Sequence, residues 1–590
     1  MHGRRPAVDA TGASRTRSRR LRLLLILGAT WAGLTHAHFG PIPMSLKGVP
    51  VPPVPGLLDG PAPIVVDEQK AIALGKALFW DMNVGSDGVA CASCHFHAGA
   101  DARVKNQIAP SARRSPRADV PGATFDLSPD GRARGVNSIL RRIDFPLHRT
   151  ADPLAPNAEV LYSSDDIVGS AGTFAGRFVQ TAWFGPGTDE CIRSPDPVFH
   201  VGAFGTRRVQ PRHTPTVINA VFNHRNFWDG RANNIFNGSS PWGERDPDAG
   251  VWVDTPEGLI KQPLHLINSS LASQAVAPPL SDIEMGCSDR RFADLGRKLM
   301  WRRPLERQQV HWNDSVLGPL ANSTPGNPRP GLRTYYYWLV REAFHPRFWR
   351  SHARGGELGS PPTSGRLRPL PYDQFEANFG MFFALAIQLY ESTLISDDSP
   401  FDRSARDAEG LPTDLSQAEL DGLQSFRVAH CSLCHIGPLL SAATVATNAI
   451  LVKTDPHAFG SQQFAISTSD NVVTRMSVLH ERGDTELEEG GAILDTGFTS
   501  TGVTPSEWDV GLGGTDPFGN PLSFAVQYLR HLVGDDDAVL DPPVREVRPC
   551  DFDVPLALDS DSMHPTLFTA VDGIQTQAQS TQDCYNPAAA

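Results

Sequence analysis

Apolar residues recur every three or four positions in four stretches of the chain, which is the period of a helix with one buried face. The stretches are 67–80, 333–345, 373–394 and 415–430. The third, DQFEANFGMFFALAIQLYESTL, is apolar nearly all round but keeps too many polar residues to span a membrane, so we expect a core helix. The fourth begins Ser416-Gln417-Ala418-Glu419, the pattern of a capping box.

Two long tracts between these helices have weak periodicity. Residues 100–210 and 238–330 are rich in polar, turn-forming residues, and we interpret both as loop-rich insertions. Because the periodic elements are helices, we predict an all-α fold that the insertions interrupt. The chain of 590 residues is too long for one ordinary domain, so several are expected.

The first 37 residues do not belong to the predicted fold. Seven arginines precede an apolar run at Leu23–Leu34, and Thr35-His36-Ala37 offers small residues for cleavage, which is typical of a secretory signal peptide. The alternative is an uncleaved membrane anchor, but the run is shorter than the roughly 20 residues that a bilayer requires. We therefore predict a periplasmic protein without a stable membrane span.

The net charge of the chain indicates which kinds of partner to expect. The formal charge is −12, and removing the signal peptide takes away seven arginines and one aspartate, which leaves about −18. An acidic exported protein is a poor nucleic-acid binder, so no nucleic-acid partner is expected. It would attract a basic partner such as a small electron carrier.

Four of the eight cysteines belong to two CxxCH motifs, Cys91-Ala92-Ser93-Cys94-His95 and Cys431-Ser432-Leu433-Cys434-His435. Zinc ribbons place their cysteine pairs roughly 15–20 residues apart, and zinc leaves the histidines unexplained. A thioredoxin-like dithiol requires a βαβ pattern, which is not visible. Two c-type haems would account for every cysteine and histidine of both motifs. The thiols would form thioethers with the haem vinyl groups, and His95 and His435 would be the proximal iron ligands.

The other four cysteines suit an oxidising compartment, where they would form two disulfides. They are Cys191, Cys287, Cys550 and Cys584. Three connectivities are possible, and pairing the cysteines that are nearest in sequence predicts Cys191–Cys287 and Cys550–Cys584.

A helix followed by CxxCH occurs twice, at 67–95 and 415–435, which indicates two related helical domains. The predicted divisions are a signal peptide at 1–37, an N-terminal cytochrome-c-like haem domain with insertions at 38–400, and a C-terminal haem domain at 401–590 that is incomplete at its end.

The sequence around the motifs resembles the di-haem cytochrome c peroxidases, the family that includes the maturation enzyme of methylamine dehydrogenase. The matching stretches are LGKALFWD (74–81), CASCH (91–95), RHTPTVINAVFNHRNFWDGRA (212–232), LISDDSPFDR (394–403), LSQAELDGLQSF (415–426), CSLCHIGPL (431–439) and GVTPSEWDVGLGG (502–514).

The resemblance implies one haem in each of two domains, with hydrogen peroxide reduced at the first and electrons entering at the second from a small cytochrome c or cupredoxin. It implies that Trp228 lies between the haems and carries electrons; the alternative is a buried core aromatic. Arg231 is expected to pair with a haem propionate, or to form a structural salt bridge. The family also binds calcium between its haems, but its asparagine ligand is His213 here.

The catalytic pair is where the sequence departs from the resemblance. The family's haem pocket carries a Gln and a Glu downstream of FWDGRA, and the tract that follows it here, ANNIFNGSSPWGERDPDAG, contains neither a Gln-Ala nor an Asn-Pro-x-Glu-Met pattern. Asn237, Glu244 and Asp248 are the nearest polar substitutes, and we take Glu244 and Asp248 as candidate catalytic acids. Phe236 would make the pocket apolar, as in the rubber oxygenases, a related group that the chain resembles distantly.

The distal iron ligands are the second departure. His97 is too close to its motif to reach the opposite haem face, so the first iron is expected to be open or bound by His148, His213 or His224. The closing tract that carries the family's distal methionine has no match. The available substitutes are Met476, His480, Met563 and His564.

We therefore predict an exported di-haem c-type oxidoreductase that reduces hydrogen peroxide. Two alternatives remain open from the sequence. The absent Gln/Glu pair and the long insertions favour a di-haem oxygenase of an apolar organic substrate, and two six-coordinate irons would make the protein a non-catalytic electron carrier.

Overall fold

The computed structural model describes residues 42–110, 124–362, 370–447 and 513–523, together with the backbone of two strands at 473–481 and 487–495. Single positions and short gaps inside these ranges are excluded: 154, 156, 182–184, 186, 409, 430 and 442. The predicted signal peptide, Cys550, Cys584, Met563 and His564 lie outside the described residues. Met476 and His480 lie on a strand of which the backbone alone is described.

All four predicted helices are present in the structure. The helices are α1 (Glu68–Trp80), α2 (Ser270–Ala275), α3 (Phe292–Leu299), α4 (Tyr336–Ala343), α5 (Gln374–Ala377), α6 (Phe379–Glu391), α7 (Pro400–Arg403), α8 (Gln417–Val428) and α9 (Cys431–Cys434). Side-chain caps begin several of them: Asp67 accepts a hydrogen bond from the Lys70 amide at α1, and Ser416 and Glu419 form the predicted capping box at α8.

The strands are short and pair in antiparallel twos. They are β1 (Ile108–Ala109), β2 (His148–Thr150), β3 (Val160–Ser163), β4 (Ile167–Val168), β5 (Ser170–Phe174), β6 (Gly176–Gln180), β7 (Glu190–Arg193), β8 (His200–Val201), β9 (Phe204–Gly205), β10 (Arg207–Gln210), β11 (Val251–Thr255), β12 (Gly258–Gln262), β13 (Val473–Glu481) and β14 (Leu487–Asp495). The pairs are β1–β4, β2–β3, β5–β10, β6–β7, β8–β9, β11–β12 and β13–β14.

The prediction of an all-α fold is therefore wrong. In the part of the chain that the structure describes, strands make up 17 % against 26 % for helices. The insertion at 100–210 holds β1–β10, and each of these strands has only two to five residues, too few for an alternation of period two to stand out. In β5 the first four residues are all buried, so this strand shows no alternation at all.

The predicted Cys191–Cys287 disulfide is present and joins β7 to the loop before α3. Cys287 is fully buried. The bond therefore fastens the insertion at 100–210 to the segment that follows α2.

The core centres on the contact between α1 and α6. Every residue of α6 is buried, and α1, α2 and α3 pack around it. The two helices approach so closely at Gly75 that a Cβ atom there would lie 1.8 Å from the backbone oxygen of Ala386. A glycine at this position is what permits the helices to touch backbone to backbone.

Among the described residues, none of the helices combines the length and the apolar character needed to cross a membrane.

We predict that Gly75→Ala destabilises the protein by at least about 1–3 kcal/mol, because the added methyl group overpacks the α1–α6 contact. Gly422→Ala in α8 is the matched control, since a Cβ there meets nothing within 4 Å. Glycine to alanine at such an exposed helical site should stabilise by up to about 1 kcal/mol. Urea unfolding of both variants measures the effect, and equal shifts of the same sign would contradict the close-contact argument.

Candidate functional site

The first CxxCH motif follows α1 through a turn that Asp81 fixes. The buried carboxylate of Asp81 accepts hydrogen bonds from the Leu305 amide and the Tyr336 hydroxyl, both at 2.8 Å. The chain then enters a 3₁₀ turn at Cys91–Ser93, which presents the motif to the core. The motif is thus positioned by α1 on one side and by the start of α4 on the other.

His95 is oriented by a backbone carbonyl. Its Nδ1 lies 2.8 Å from the Pro215 oxygen, and because a carbonyl only accepts, Nδ1 carries the proton and Nε2 keeps its lone pair. Burial lowers the pKa of His95 to about 4, so the imidazole is neutral, as an iron ligand must be. This arrangement of ring and carbonyl is the usual one for metal-binding histidines.

The two thiols of the motif lie in apolar surroundings. Burial raises the pKa of Cys91 strongly and that of Cys94 to about 11, the latter against the opposing charge of Arg103. Arg103 Nη2 lies 3.1 Å from Cys94 Sγ. Both groups are therefore protonated thiols at neutral pH.

A large cavity opens beside His95. Its volume is about 1020 Å³ including the open mouth, and both thiols of the motif line it. One wall is a stripe of α6 formed by Phe383, Ile387 and Glu391, which lie one helical turn apart. The cavity is thus assembled from the two helices that form the centre of the core.

Charged and aromatic residues of the FWDGRA stretch form the mouth. The buried carboxylate of Asp229 pairs with Arg212 at 2.8 Å and with Arg231 at 3.1 Å, and these charges keep its pKa low against its burial. The Arg231 guanidinium lies 4.2 Å from the Phe227 ring centre. Both arginines line the cavity, so they are placed to meet carboxylates of a bound group as well as Asp229.

Trp228 also lines the cavity, but it is not a core residue. It is 64 % exposed, and its indole Nε1 donates to the His213 carbonyl at 2.8 Å. The alternative of a buried core aromatic is therefore excluded for Trp228 in this structure.

The Gln-Ala and Glu-Met pattern that the sequence lacks after FWDGRA occurs further along. Gln274-Ala275 ends α2, and Glu284-Met285 follows ten residues later, in the order that the family uses but with Ser281-Asp282 in place of Asn-Pro. Gln274 and Glu284 both line the cavity beside His95. The pair was missed because 233–269, with the β11–β12 hairpin, separates it from FWDGRA.

The insertion at 100–210 supports the segment that carries Glu284. The Thr173 amide donates to the Ile283 carbonyl at 3.0 Å. A Cβ on Gly172 would lie 2.1 Å from the same oxygen, so the strand β5 and this segment touch backbone to backbone. The position of Glu284 therefore depends on β5.

The residues chosen from the tract after FWDGRA lie elsewhere. Glu244 is exposed and pairs with His265 at 2.8 Å, and Asp248 is exposed. Asn237 is buried, where its amide bonds Ser240 and Gly243, and Phe236 packs in the main core. None of these four residues lines the cavity, so the geometry gives the catalytic assignment of Glu244 and Asp248 no support.

The histidines considered as distal ligands are accounted for in part. His97 and His148 are exposed, and neither they nor His224 lines the cavity. His213 does line it, but its Nε2 lies 2.9 Å from the Asp101 carbonyl and is engaged there. Of the histidines that the sequence suggested for the first iron, His213 is therefore the one that lines the cavity, and its ring nitrogen is engaged by the Asp101 carbonyl.

Comparisons with known proteins agree with this geometry. The family model of the di-haem cytochrome c peroxidases matches residues 189–305, which include FWDGRA, Gln274 and Glu284. This stretch of the chain is thus similar to the di-haem cytochrome c peroxidase family. A cytochrome c551 peroxidase from Pseudomonas aeruginosa is 24 % identical over 274 residues, which is 46 % of this chain and 50 % of that protein. The chain therefore matches half the length of this relative, and the family resemblance is confirmed.

The residues that line the cavity beside His95 fit a c-type haem. Two neutral thiols stand beside a neutral histidine with a free Nε2, the α6 stripe supplies an apolar wall, and Arg212 and Arg231 face the cavity where propionates would need partners.

The second CxxCH repeats the local geometry of the first. His435 Nδ1 lies 3.0 Å from the Leu440 carbonyl, as His95 does from that of Pro215. Phe426 of α8 lies 6.1 Å from the His435 ring at a tilt of 43°, and Phe79 of α1 lies 6.1 Å from His95 at the same tilt. The duplication read from the sequence thus extends to the ring that packs against each histidine.

Glu391 was not singled out by the sequence and is the least expected residue of the cavity wall. It is 5 % exposed, and desolvation raises the pKa of its carboxyl to about 8. A carboxyl with this pKa is protonated at neutral pH and acts as a neutral wall residue that holds an exchangeable proton.

We predict that Glu391 makes stability fall with pH. Below its ordinary pKa of 4.5 the carboxyl is protonated in both the folded and the unfolded protein. Between pH 4.5 and about 8 only the folded protein keeps the proton, so the free energy of unfolding declines by a few kcal/mol as the pH rises. Above pH 8 the carboxyl is ionised in both states and its contribution no longer changes. Glu391→Gln should remove this slope in urea unfolding of the haem-loaded protein, whereas the exposed Glu357→Gln should retain it. An unchanged slope in Glu391→Gln would refute the assignment.

Proposed function

We propose that this protein is an exported di-haem c-type peroxidase that reduces hydrogen peroxide in the cavity beside His95. The observation that carries the proposal is that His95, Gln274 and Glu284, which come from three separate parts of the chain, line one cavity. The matching family and the name of the Pseudomonas aeruginosa relative support the same activity.

A haem bound through Cys91 and Cys94 with His95 as axial ligand would supply the electrons that split the peroxide O–O bond. Heterolysis also requires a proton to leave one peroxide oxygen and reach the other. Glu284 is the residue of the cavity wall that we assign to this transfer. Gln274 is assigned to hold the peroxide by an amide hydrogen bond, because its side chain donates and accepts without changing charge.

The electrons would come from the second motif. The segment between the two sites supports this route: the His224 amide donates to the Ala443 carbonyl at 2.8 Å, close after Cys431–His435, and four residues later Trp228 lines the first cavity. We therefore assign Trp228 to electron transfer between the haems. A small cytochrome c or cupredoxin is the proposed donor, and the acidic charge of the chain favours a basic one.

The main argument for the alternative function, a di-haem oxygenase, is weakened. It depended on the absence of a Gln/Glu pair, and we assign that pair to Gln274 and Glu284, which both line the cavity. The long insertion that suggested a substrate cavity instead holds β5 against the Glu284 segment. Peroxide reduction is therefore the better supported function.

We predict that Glu284→Gln lowers kcat/KM for hydrogen peroxide by about 10²–10⁴, the usual contribution of a general acid–base group. Haem content and the potentials of both haems should stay unchanged. Glu244→Gln is the matched control, because Glu244 is exposed and pairs with His265 outside the cavity. Steady-state turnover with a reduced cytochrome donor measures the effect. Full activity in Glu284→Gln together with loss in Glu244→Gln would contradict our assignment.

Covalent attachment has its own test. The double variants Cys91→Ala/Cys94→Ala and Cys431→Ala/Cys434→Ala should each lose both thioether links to one haem, since each removes both thiols of a CxxCH motif. In denaturing gels stained for haem, each variant should show about half the wild-type signal or less, and intact mass should drop accordingly. Full signal and mass in both variants would exclude c-type attachment.

A further inference from the structure

Three carboxylates meet in the insertion, away from the haem cavity. Asp126 lies just before a turn at 128–131, and Asp165 and Asp166 lie between β3 and β4. One oxygen from each residue lies within 4.8 Å of the other two. The cluster joins two segments that are about 40 residues apart along the chain.

Backbone hydrogen bonds hold the two segments in register. The Asp165 amide donates to Asp126 Oδ2 at 2.9 Å, and the Asp126 amide donates to Asp166 Oδ2 at 3.1 Å. These reciprocal bonds keep the carboxylates together in spite of their mutual repulsion.

Asp166 supplies a second, independent observation. The residue is 2 % exposed, and its Oδ1 is buried without a hydrogen-bond partner, whereas Oδ2 is engaged. A buried carboxylate oxygen without a partner is destabilising, and a bound cation would supply the missing partner.

The nearby positive charge does not balance the cluster. Arg134 lies 3.4 Å from Asp166, but it is shared with Asp144 at 3.5 Å. Arg141 lies 3.6 Å from Asp144 and is itself shared with Asp130 at 2.8 Å. Arg132 also pairs with Asp130, at 3.5 Å, so five carboxylates lie beside three guanidinium groups among the described residues of this region.

We propose that Asp126, Asp165 and Asp166 bind one Ca²⁺ ion, with the unpartnered Oδ1 of Asp166 as a ligand. Calcium is a hard cation that prefers carboxylate and carbonyl oxygens at about 2.3–2.6 Å, in irregular geometry. Ligand oxygens within 4.8 Å of one another reach a single ion at such distances. Mg²⁺ binds at about 2.0–2.1 Å and demands a regular octahedron, which two irregular loops do not offer.

This site differs from two others that the sequence suggests. The residues Asp126-Leu127-Ser128-Pro129-Asp130-Gly131 have the spacing of a calcium-binding loop, but Asp130 pairs with Arg141 and is not in the cluster. The site between the haems that the family resemblance implies would involve the region of His213, in a different part of the chain.

The bound ion would stabilise the wall of the peroxidase cavity. The cluster is followed directly by β4 and β5, and Ser170 and Gly172 of β5 line the cavity. Gly172 is also the residue whose backbone touches the Glu284 segment. We expect the ion to hold Asp126 against Asp165 and Asp166, and so to limit the motion of β5.

The test uses haem-loaded, full-length protein that has been treated with EDTA. Isothermal titration with CaCl₂ should show one equivalent more in the wild type than in Asp166→Asn, and Ca²⁺ should raise the wild-type Tm but not that of the variant. Asp126→Asn and Asp165→Asn provide two further variants in case Asp166→Asn fails to fold. Asp130→Asn is the matched control and should bind as the wild type does.

Terbium luminescence locates the ion independently. Tyr162 donates to the Leu127 carbonyl at 2.9 Å, next to Asp126, so its ring lies beside the cluster. Excitation of the ring should sensitise Tb³⁺ emission, and Ca²⁺ should displace it; Tyr162→Phe should lose emission while its Ca²⁺ equivalent remains. Equal Ca²⁺ stoichiometry in the wild type and all three cluster variants, loss in Asp130→Asn alone, or a preference for Mg²⁺ would overturn the proposal.

Discussion

The backbone contact between α1 and α6 is the constraint on which the rest of this structure depends. Gly75 lets α1 lie against Ala386, and the last turn of α1 then delivers the chain to Cys91 and His95. A neighbouring face of α6 presents Phe383, Ile387 and Glu391 as one wall of the cavity. One close helix crossing therefore places the first CxxCH motif beside this wall.

The chemistry of the cavity is assembled from segments that are far apart in the chain. His95 follows α1, Trp228 and Arg231 come from the FWDGRA stretch, and Gln274 and Glu284 come from α2 and the loop beyond it. The segment with Glu284 is held by β5 of the insertion. The insertion thus belongs to the architecture of the site, and the disulfide at Cys191–Cys287 fastens it there.

Long insertions hide some features of this protein from sequence patterns and leave others recognisable. The four helical stretches were predicted correctly, since apolar residues with a helical period give a clear pattern, and the disulfide followed from proximity in sequence. The interpretation of 238–330 as loop-rich missed α2 and α3, which have only six and eight residues. The strands were missed because they are short and, in β5, buried on both faces. Gln274 and Glu284 were missed because the β11–β12 hairpin separates them from FWDGRA. The acidic residues nearest after FWDGRA are Glu244 and Asp248.

The sequence by itself determined the local chemistry: two CxxCH motifs after helices, a repeated unit, and a family resemblance that the comparisons confirmed. These features depend on residues that are neighbours in the sequence, and their spacing along the chain is the same whatever fold the chain adopts. Only the tertiary structure decided which distant residues share the cavity, that Glu391 is buried without water to stabilise its charge, and that Asp126 meets Asp165 and Asp166. Burial and proximity across the fold come from packing, which no local pattern encodes.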